Sequence, residues 1–301
     1  MQLQADAGLK SLSDSRFVVV GVVRNCAHCL EQEVERLRSA FSGVKRLDFL
    51  LIESDSSDQT VQVLRSLQRS TPGFTYLSLG RLAERHPVRT DRIAVCRNAY
   101  LHRLNTAHPY VDCDFVVVAD LDGVNRLLTR QAVETCWSRT DWDVCTANQA
   151  GPYYDIWALR HGLWSPNDFE DVKQFLRAHR VSRYRAHVSA VLARMITLDP
   201  RQPWVRVDSA FGGLAIYKKE IIEPCLYRGL LGNGEPVCEH VPLNQEIAKR
   251  GGRIFINPAM INCGLVAHSR ELTPLGHVVF WLRASLADCR DVLFGVFRLS
   301  R

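Results

Sequence analysis

The stretch DFVVVADLDGVN, residues 114–125, decides how the rest of the chain is read. Its FVVVA run is apolar on both alternating faces and mostly β-branched, the pattern of a strand covered by two layers rather than one with a wet face. The run stops at Asp120-Leu121-Asp122. Residues i and i+2 of an extended segment project to the same side, so both carboxylates can approach one divalent cation. Two Asp after a strand can equally be solvated or start the next element, and the pair alone leaves both readings open.

Outward from this strand the chain alternates apolar runs with amphipathic ones. Strands are expected at residues 16–25 (RFVVVGVVRN), 46–54 (RLDFLLIES) and 74–80 (FTYLSLG), with helices at 29–43, 56–70 and 91–105 between them. Asp58 is expected to cap the second helix, which Thr71-Pro72-Gly73 closes. Strands that are apolar throughout and separated by helices imply an α/β fold, a mostly parallel central sheet with helices on both faces. In such a fold ligands bind beyond the carboxyl ends of the strands. Arg24-Asn25, Glu53 to Asp58 and Asp120 to Asn125 therefore converge on one crevice. After residue 150 the rhythm loosens: 151–160 is aromatic and turn-like, 167–194 reads as helix, 205–220 as strand, and 253–262 as a last strand.

Composition narrows the function. The 301 residues are 47% hydrophobic and 23% charged, which provides an ample core and excludes disordered, collagen-like and disulfide-miniprotein classes. The formal net charge of +6 comes from 32 Arg and only 6 Lys, scattered rather than clustered, so nucleic acid is not expected as a partner. The ten cysteines read as free thiols of a reducing compartment, and Cys26-Ala27-His28-Cys29 lacks the second pair that a zinc site needs. The first 16 residues lack an apolar core segment and no run approaches the ~20 apolar residues of a membrane span. The expected location is cytoplasmic, with peripheral contact at the inner membrane face if the Arg-rich apolar stretch 277–301 is free rather than packed on the body.

Hard oxygen ligands at Asp120 and Asp122 suit Mn²⁺ or Mg²⁺, which neutralise a diphosphate. ESDSSDQT, residues 53–60, gathers acceptors suited to a base and ribose, and Arg92, Arg97 and Asn98 share one helix, where guanidinium forks match phosphate oxygens. Asp208, Gly212 and Gly213 are candidates to meet an acceptor, the glycines by allowing close backbone approach. Tyr154 and Trp157 offer aromatic faces to sugar rings, although such residues also simply pack.

In order and spacing these residues resemble the inverting GT-A glycosyltransferases of the large family that builds bacterial polysaccharides and lipid-linked glycans. The family's D-D-G-S-x-D-G-T signature is matched by Glu53 to Thr60, its R-N pair by Arg97-Asn98 and its D-x-D by Asp120-Leu121-Asp122. FGGLAIYKKE resembles its acceptor-side strand, and Glu239 to Leu243 with Gly252 to Pro258 resemble its E-D-x-x-L and G-x-x-I-x-x-x-P patterns. The likeness spans roughly residues 16 to 268. It implies a single GT-A domain over 16–270, with a nucleotide-sugar half (16–125), an acceptor half (126–270) and an amphipathic tail (271–301). It implies an NDP-sugar donor held by Arg24, Asn25, Glu53, Asp55, Arg92, Arg97, Asn98 and Asp120, and a glycan or lipid-linked acceptor near Asp208, Gly212, Gly213, Tyr154 and Trp157. The implied metal ligands are Asp120, Asp122 and His268. Two departures stand out: the nucleotide acid pair is Glu-Ser, and the family's catalytic Asp is His240, preceded by Glu239. An inverting transfer needs a base for the acceptor hydroxyl, and carboxylate chemistry favours Glu239 over His240. A retaining transferase, an inactive sugar-nucleotide-binding scaffold and a phosphatase using Asp120 as nucleophile are the competing readings. The last lacks the later acidic metal motif that its mechanism requires.

Overall fold

The two most apolar runs of the sequence lie side by side at the centre of an eight-stranded sheet. The structure is a computed structural model that describes residues 9–293, apart from the side chains of residues 267, 268, 292 and 293. In chain order the elements are β1 (Arg16–Val23), α1 (Leu30–Ala40), β2 (Arg46–Glu53), α2 (Thr60–Ser70), β3 (Phe74–Ser78), α3 (Arg89–Thr106), β4 (Phe115–Ala119), α4 (Arg130–Glu134) and β5 (Val144–Gln149). They continue with α5 (Phe169–Ala178), α6 (Arg183–Ala190), β6 (Val205–Val207), β7 (Leu214–Lys218), α7 (Lys219–Ile222), α8 (His240–Lys249), β8 (Ile254–Cys263) and α9 (Pro274–Leu293).

The strand order is β3-β2-β1-β4-β7-β5-β8-β6. The first four strands and the β5–β8 pair run parallel, while β7 is antiparallel to both β4 and β5, and β6 to β8. This is the α/β architecture with a mostly parallel sheet that the sequence implies. The period-2 alternation sorts side chains into two cores. Val18, Val20, Leu50, Ile52, Val116 and Val118 pack toward α3 and the C-terminal half, and Phe17, Val19, Phe49, Leu51, Phe115 and Val117 toward α1 and α2. Each of these side chains is at most 3% exposed, so full burial contributes ~1.5–3 kcal/mol apiece.

Several local expectations are corrected. Helix α2 begins at Thr60 with Gln59 at the N-cap position. Asp58 lies one residue further out, where it accepts the Thr60 N–H (2.9 Å) and the Ala27 N–H (3.2 Å), tying α2 to the β1–α1 turn. The helix expected over 167–194 is broken into α5 and α6 around Arg180, whose φ is +61°. The run 205–220 is two strands separated by the Gly212-Gly213 turn. Strand β5 has no counterpart among the expected elements, because its second half is polar yet buried. There Asn148 donates to Pro258 O (2.9 Å) and Gln149 to Gly212 O (3.2 Å).

Part of the tail settles on the body through one face of α9. Tyr184 Oη and His277 Nε2 lie 2.6 Å apart, Phe280 packs on His187, and Arg177 and Arg183 pair with Asp288 and Asp291. The opposite face leaves Leu275, Val278, Leu282 and Leu286 exposed. Arg298 and Arg301 lie outside the described residues. No described helix is long and apolar enough to cross a membrane.

Candidate active site

At the carboxyl ends of β1, β2 and β4 the chain turns into loops that pin one another. Arg24 donates to Asp55 O (3.3 Å), and Asn25 Oδ1 accepts the Ser57 N–H (2.7 Å). Asp120 N–H donates to Gly213 O (2.9 Å), and Asn125 Nδ2 donates to Asp120 O (2.7 Å) and to the buried Glu33 (3.0 Å). The result is a cleft with two joined compartments that share Arg89, Ile93, Arg97 and Asp120.

The first compartment, about 300 Å³, is lined by Arg24, Ser54, Asp55, Arg92, Arg97, Asp120 and Asp122, among others. Asp55 is held at φ +58°, a left-handed conformation that costs a non-glycine residue of order 1 kcal/mol. One carboxylate oxygen accepts the Ala83 N–H (2.9 Å), and the other is buried without a hydrogen bond, 3.9 Å from Arg92 Nε. An acceptor orphaned in this way is suited to an N–H or O–H donor of a ligand.

The second compartment, about 420 Å³, is lined by Tyr154, Asp155, Trp157, Phe211, Glu239 and His240, among others. Arg97 bridges the two compartments. It is 4% exposed, its Nε donates to Glu239 Oε1 (2.9 Å), and its Nη2 lies 3.4 Å from Asp120 Oδ1. His240, the first residue of α8, stacks on Phe211 at 3.8 Å, with Tyr227 edge-on. Neither of its ring nitrogens has a hydrogen-bond partner, and Nε2 is 3.7 Å from Glu239 Oε1. Burial, reinforced by the Arg97 charge, holds the imidazole well below its usual pKa, so it is neutral at pH 7.

Asp120 sits at the cleft floor. Its side chain retains 39% exposure toward the cleft, but the protein walls desolvate it and push its carboxyl up to about 7, with Arg97 opposing and the Asp122 charge adding to the rise. A carboxylate that is costly to ionise unaided, beside a second and exposed one, is a donor set that fits a hard divalent cation. Among the described residues no group of three or more metal-ligating side chains assembles. His268 falls in the turn 267–272 after β8, and its side chain lies outside the described residues.

Among the described residues, six of the expected site residues do not line either compartment. Glu53 accepts from Ser56 N–H (2.9 Å) and from the Ser78 hydroxyl, and Asn25 holds the 56–58 loop. Asn98 exchanges two hydrogen bonds with the Tyr227 backbone (2.9 and 2.8 Å). Asp208 is exposed at the end of β6. Gly212 and Gly213 have φ of +71° and +84°, and a Cβ on them would meet Ala147 O and the Tyr154 hydroxyl within 2.8 Å, so the space they leave is filled by the protein itself.

Arg89 is the residue the sequence reading passed over. It stands where the compartments meet, exposed and without a side-chain partner among the described residues. The signal was present: Arg89, Arg92, Ile93, Cys96 and Arg97 repeat at the spacing of one helix face.

No protein-family model and no curated protein matches this chain. Solved structures do. TarS from S. aureus aligns with a TM-score of 0.50 at 11% identity, over 85% of this chain and 38% of that one. The mannosyltransferase PcManGT from Pyrobaculum calidifontis, in complex with GDP-Man and Mn²⁺, aligns at 0.46 and 15% identity, over 83% and 56%. Glucosyl-3-phosphoglycerate synthase from Mycobacterium tuberculosis, in complex with UDP, aligns at 0.42 and 15% identity, over 88% and 75%. This chain therefore spans little more than half the length of PcManGT, and less of TarS. The likeness is one of fold, the GT-A fold anticipated from the motifs.

Proposed function

We propose that the protein is a metal-dependent glycosyltransferase that moves a sugar from an NDP-sugar to a hydroxyl of a glycan or lipid-linked acceptor, with inversion, in cell-surface polysaccharide synthesis. The observation that carries this reading is the junction at Arg97, where a cation-seeking acidic pair opens on one side and a neutral imidazole with two unbonded nitrogens on the other. The nucleotide occupies the 16–125 half, the acceptor enters through the 126–270 half, and the exposed stripe of α9 supports a peripheral membrane contact.

In this reading Asp55 offers its orphaned oxygen to an N–H of the base or a hydroxyl of the ribose. Arg89 holds the phosphates as a planar fork, and Arg92, whose Nη1 is committed to His86 O and Pro87 O (2.8 Å each), adds its charge and its Nη2. Asp120 and Asp122 would hold Mn²⁺ or Mg²⁺, and the ion would supply charge neutralisation to the leaving diphosphate. The acceptor oxygen bonds to the anomeric carbon as the bond from that carbon to the diphosphate breaks, its electron pair leaving with the nucleotide. The hydroxyl proton passes to a ring nitrogen of His240, which is buried against Phe211 and Tyr227 and has to be uncovered as the acceptor arrives. Protonating Glu239 breaks its ion pair with Arg97, whereas protonating His240 breaks no hydrogen bond and has burial and the Arg97 charge to overcome. The Glu239 carboxylate, 3.7 Å away, and the arriving diphosphate offset the new positive charge. Trp157 and Tyr154 offer ring faces to the sugars.

The test is a screen of nucleotide sugars for Mn²⁺-dependent donor hydrolysis and transfer, repeated on Asp122→Ala. The variant is expected to lose about 10²–10³-fold in rate, the scale of one electrostatic stabiliser. Full activity of this variant with metal chelated is the outcome against the proposal.

A further inference from the structure

A second cavity lies outside the two compartments of the cleft. About 760 Å³ lies between α5, α6, the 267–272 turn and α9. Five cations line it, and their partners differ. Arg177 and Arg183 are neutralised by Asp288 and Asp291, and Lys173 pairs with Glu170 at 2.8 Å. Arg270 and Arg283 have no ion pair or side-chain hydrogen bond among the described residues. The lining acid, Glu271, is 2.8 Å from His187 Nε2. The hydrocarbon of the lining comes from Leu275, Val279, Phe280 and Ala284, on α9 with Arg283. From Leu275 the apolar surface continues outward along α9 through Val278, Leu282 and Leu286, at i, i+3, i+7 and i+11.

Two exposed, uncommitted guanidiniums beside an apolar lining of this size match an anionic head on a long hydrocarbon. A free phosphate has no use for the apolar lining, and a flat membrane surface has none for a cavity. The cavity also adjoins the cleft: His187 and Glu271, in contact at 2.8 Å, line both.

We propose that this cavity binds a lipid phosphate, with the phosphate on Arg270 and Arg283 and the chain along Leu275, Val279 and Phe280. On the transferase reading, on which this last step rests, the lipid phosphate is the anchor of the acceptor, whose sugar-accepting end reaches the cleft past His187 and Glu271.

The probes are dodecyl phosphate below its micelle concentration, inorganic phosphate and dodecanol, titrated by calorimetry into the full chain. Dodecyl phosphate is expected to bind at least tenfold more tightly than either single-feature probe. Arg270→Ala combined with Arg283→Ala, and separately Val279→Asp, should each weaken it at least tenfold. Both variants should bind UDP or GDP with Mn²⁺ within threefold of the parent. Equal binding of inorganic phosphate, equal binding of dodecanol, or indifference to both variants overturns the site. So does attachment to phosphatidylglycerol vesicles without any binding of dodecyl phosphate, which would mark a membrane patch. If dodecyl phosphate binds and neither nucleotide does, the lipid site stands and the transferase reading falls. The reverse pattern keeps the transferase and removes the lipid site.

Discussion

Glu239 and His240 set an ion-paired carboxylate beside an imidazole with no hydrogen bond, and a pH series separates their roles. His240→Gln is expected to lower kcat by ~10²–10⁴, the usual contribution of a general base, while nucleotide affinity stays within threefold. An unchanged kcat would return the proton to Glu239. The same side chain acts on stability. In the unfolded chain it takes up a proton near pH 6.5, whereas in the fold burial keeps it neutral to a much lower pH. The unfolded state therefore binds the extra proton as pH falls through 6.5, and stability declines there with a slope of up to about 1.4 kcal/mol per pH unit. Urea unfolding at pH 5.5 and 7.5 should show this slope reduced in His240→Gln. The sequence placed His240 in the motif but not its isolation, which depends on Phe211 and Tyr227 arriving from other parts of the chain. Arg89 was legible as a helix-face repeat, although isolated arginines on helices are ordinarily solvated.

Helix α3 turns one face to the cleft and bolts its other side to the 225–230 segment. Asn98 belongs to the bolt: it satisfies both the N–H and the C=O of Tyr227. Asn98→Ala leaves two backbone groups unpaired and is expected to cost about 1–3 kcal/mol in denaturant unfolding while nucleotide affinity changes less than threefold. A large loss of nucleotide affinity at unchanged stability would instead make Asn98 a ligand contact. Strands β1, β2 and β4 were readable because double-sided burial demands continuous apolar sequence. Strand β5 was not, since Asn148 and Gln149 look like loop residues until their amide partners are known. No periodicity reveals that β7 runs antiparallel between β4 and β5, because direction in a sheet leaves no mark on side-chain alternation.

At the scale of the molecule, residues 16–125 and 126–270 share one sheet, joined by β7. Residues 16–125 thus resemble a self-sufficient unit in sequence but have an open edge in space, since β4 pairs with β7 along its whole length. A fragment comprising residues 9–150 is expected to form soluble aggregates or precipitate, and sedimentation would reveal a stable monomer if the half were autonomous. The sequence conveyed the fold class and the cleft but not this dependence, which arises from pairing across a long separation. Leu214 follows Ala119 by 95 residues. At 5–20 residues per second, a ribosome leaves the most apolar strand of the nascent chain with a bare edge for roughly 5–20 s before its neighbour is made. The interval in which this edge is open to misassociation thus falls during the chain's own synthesis.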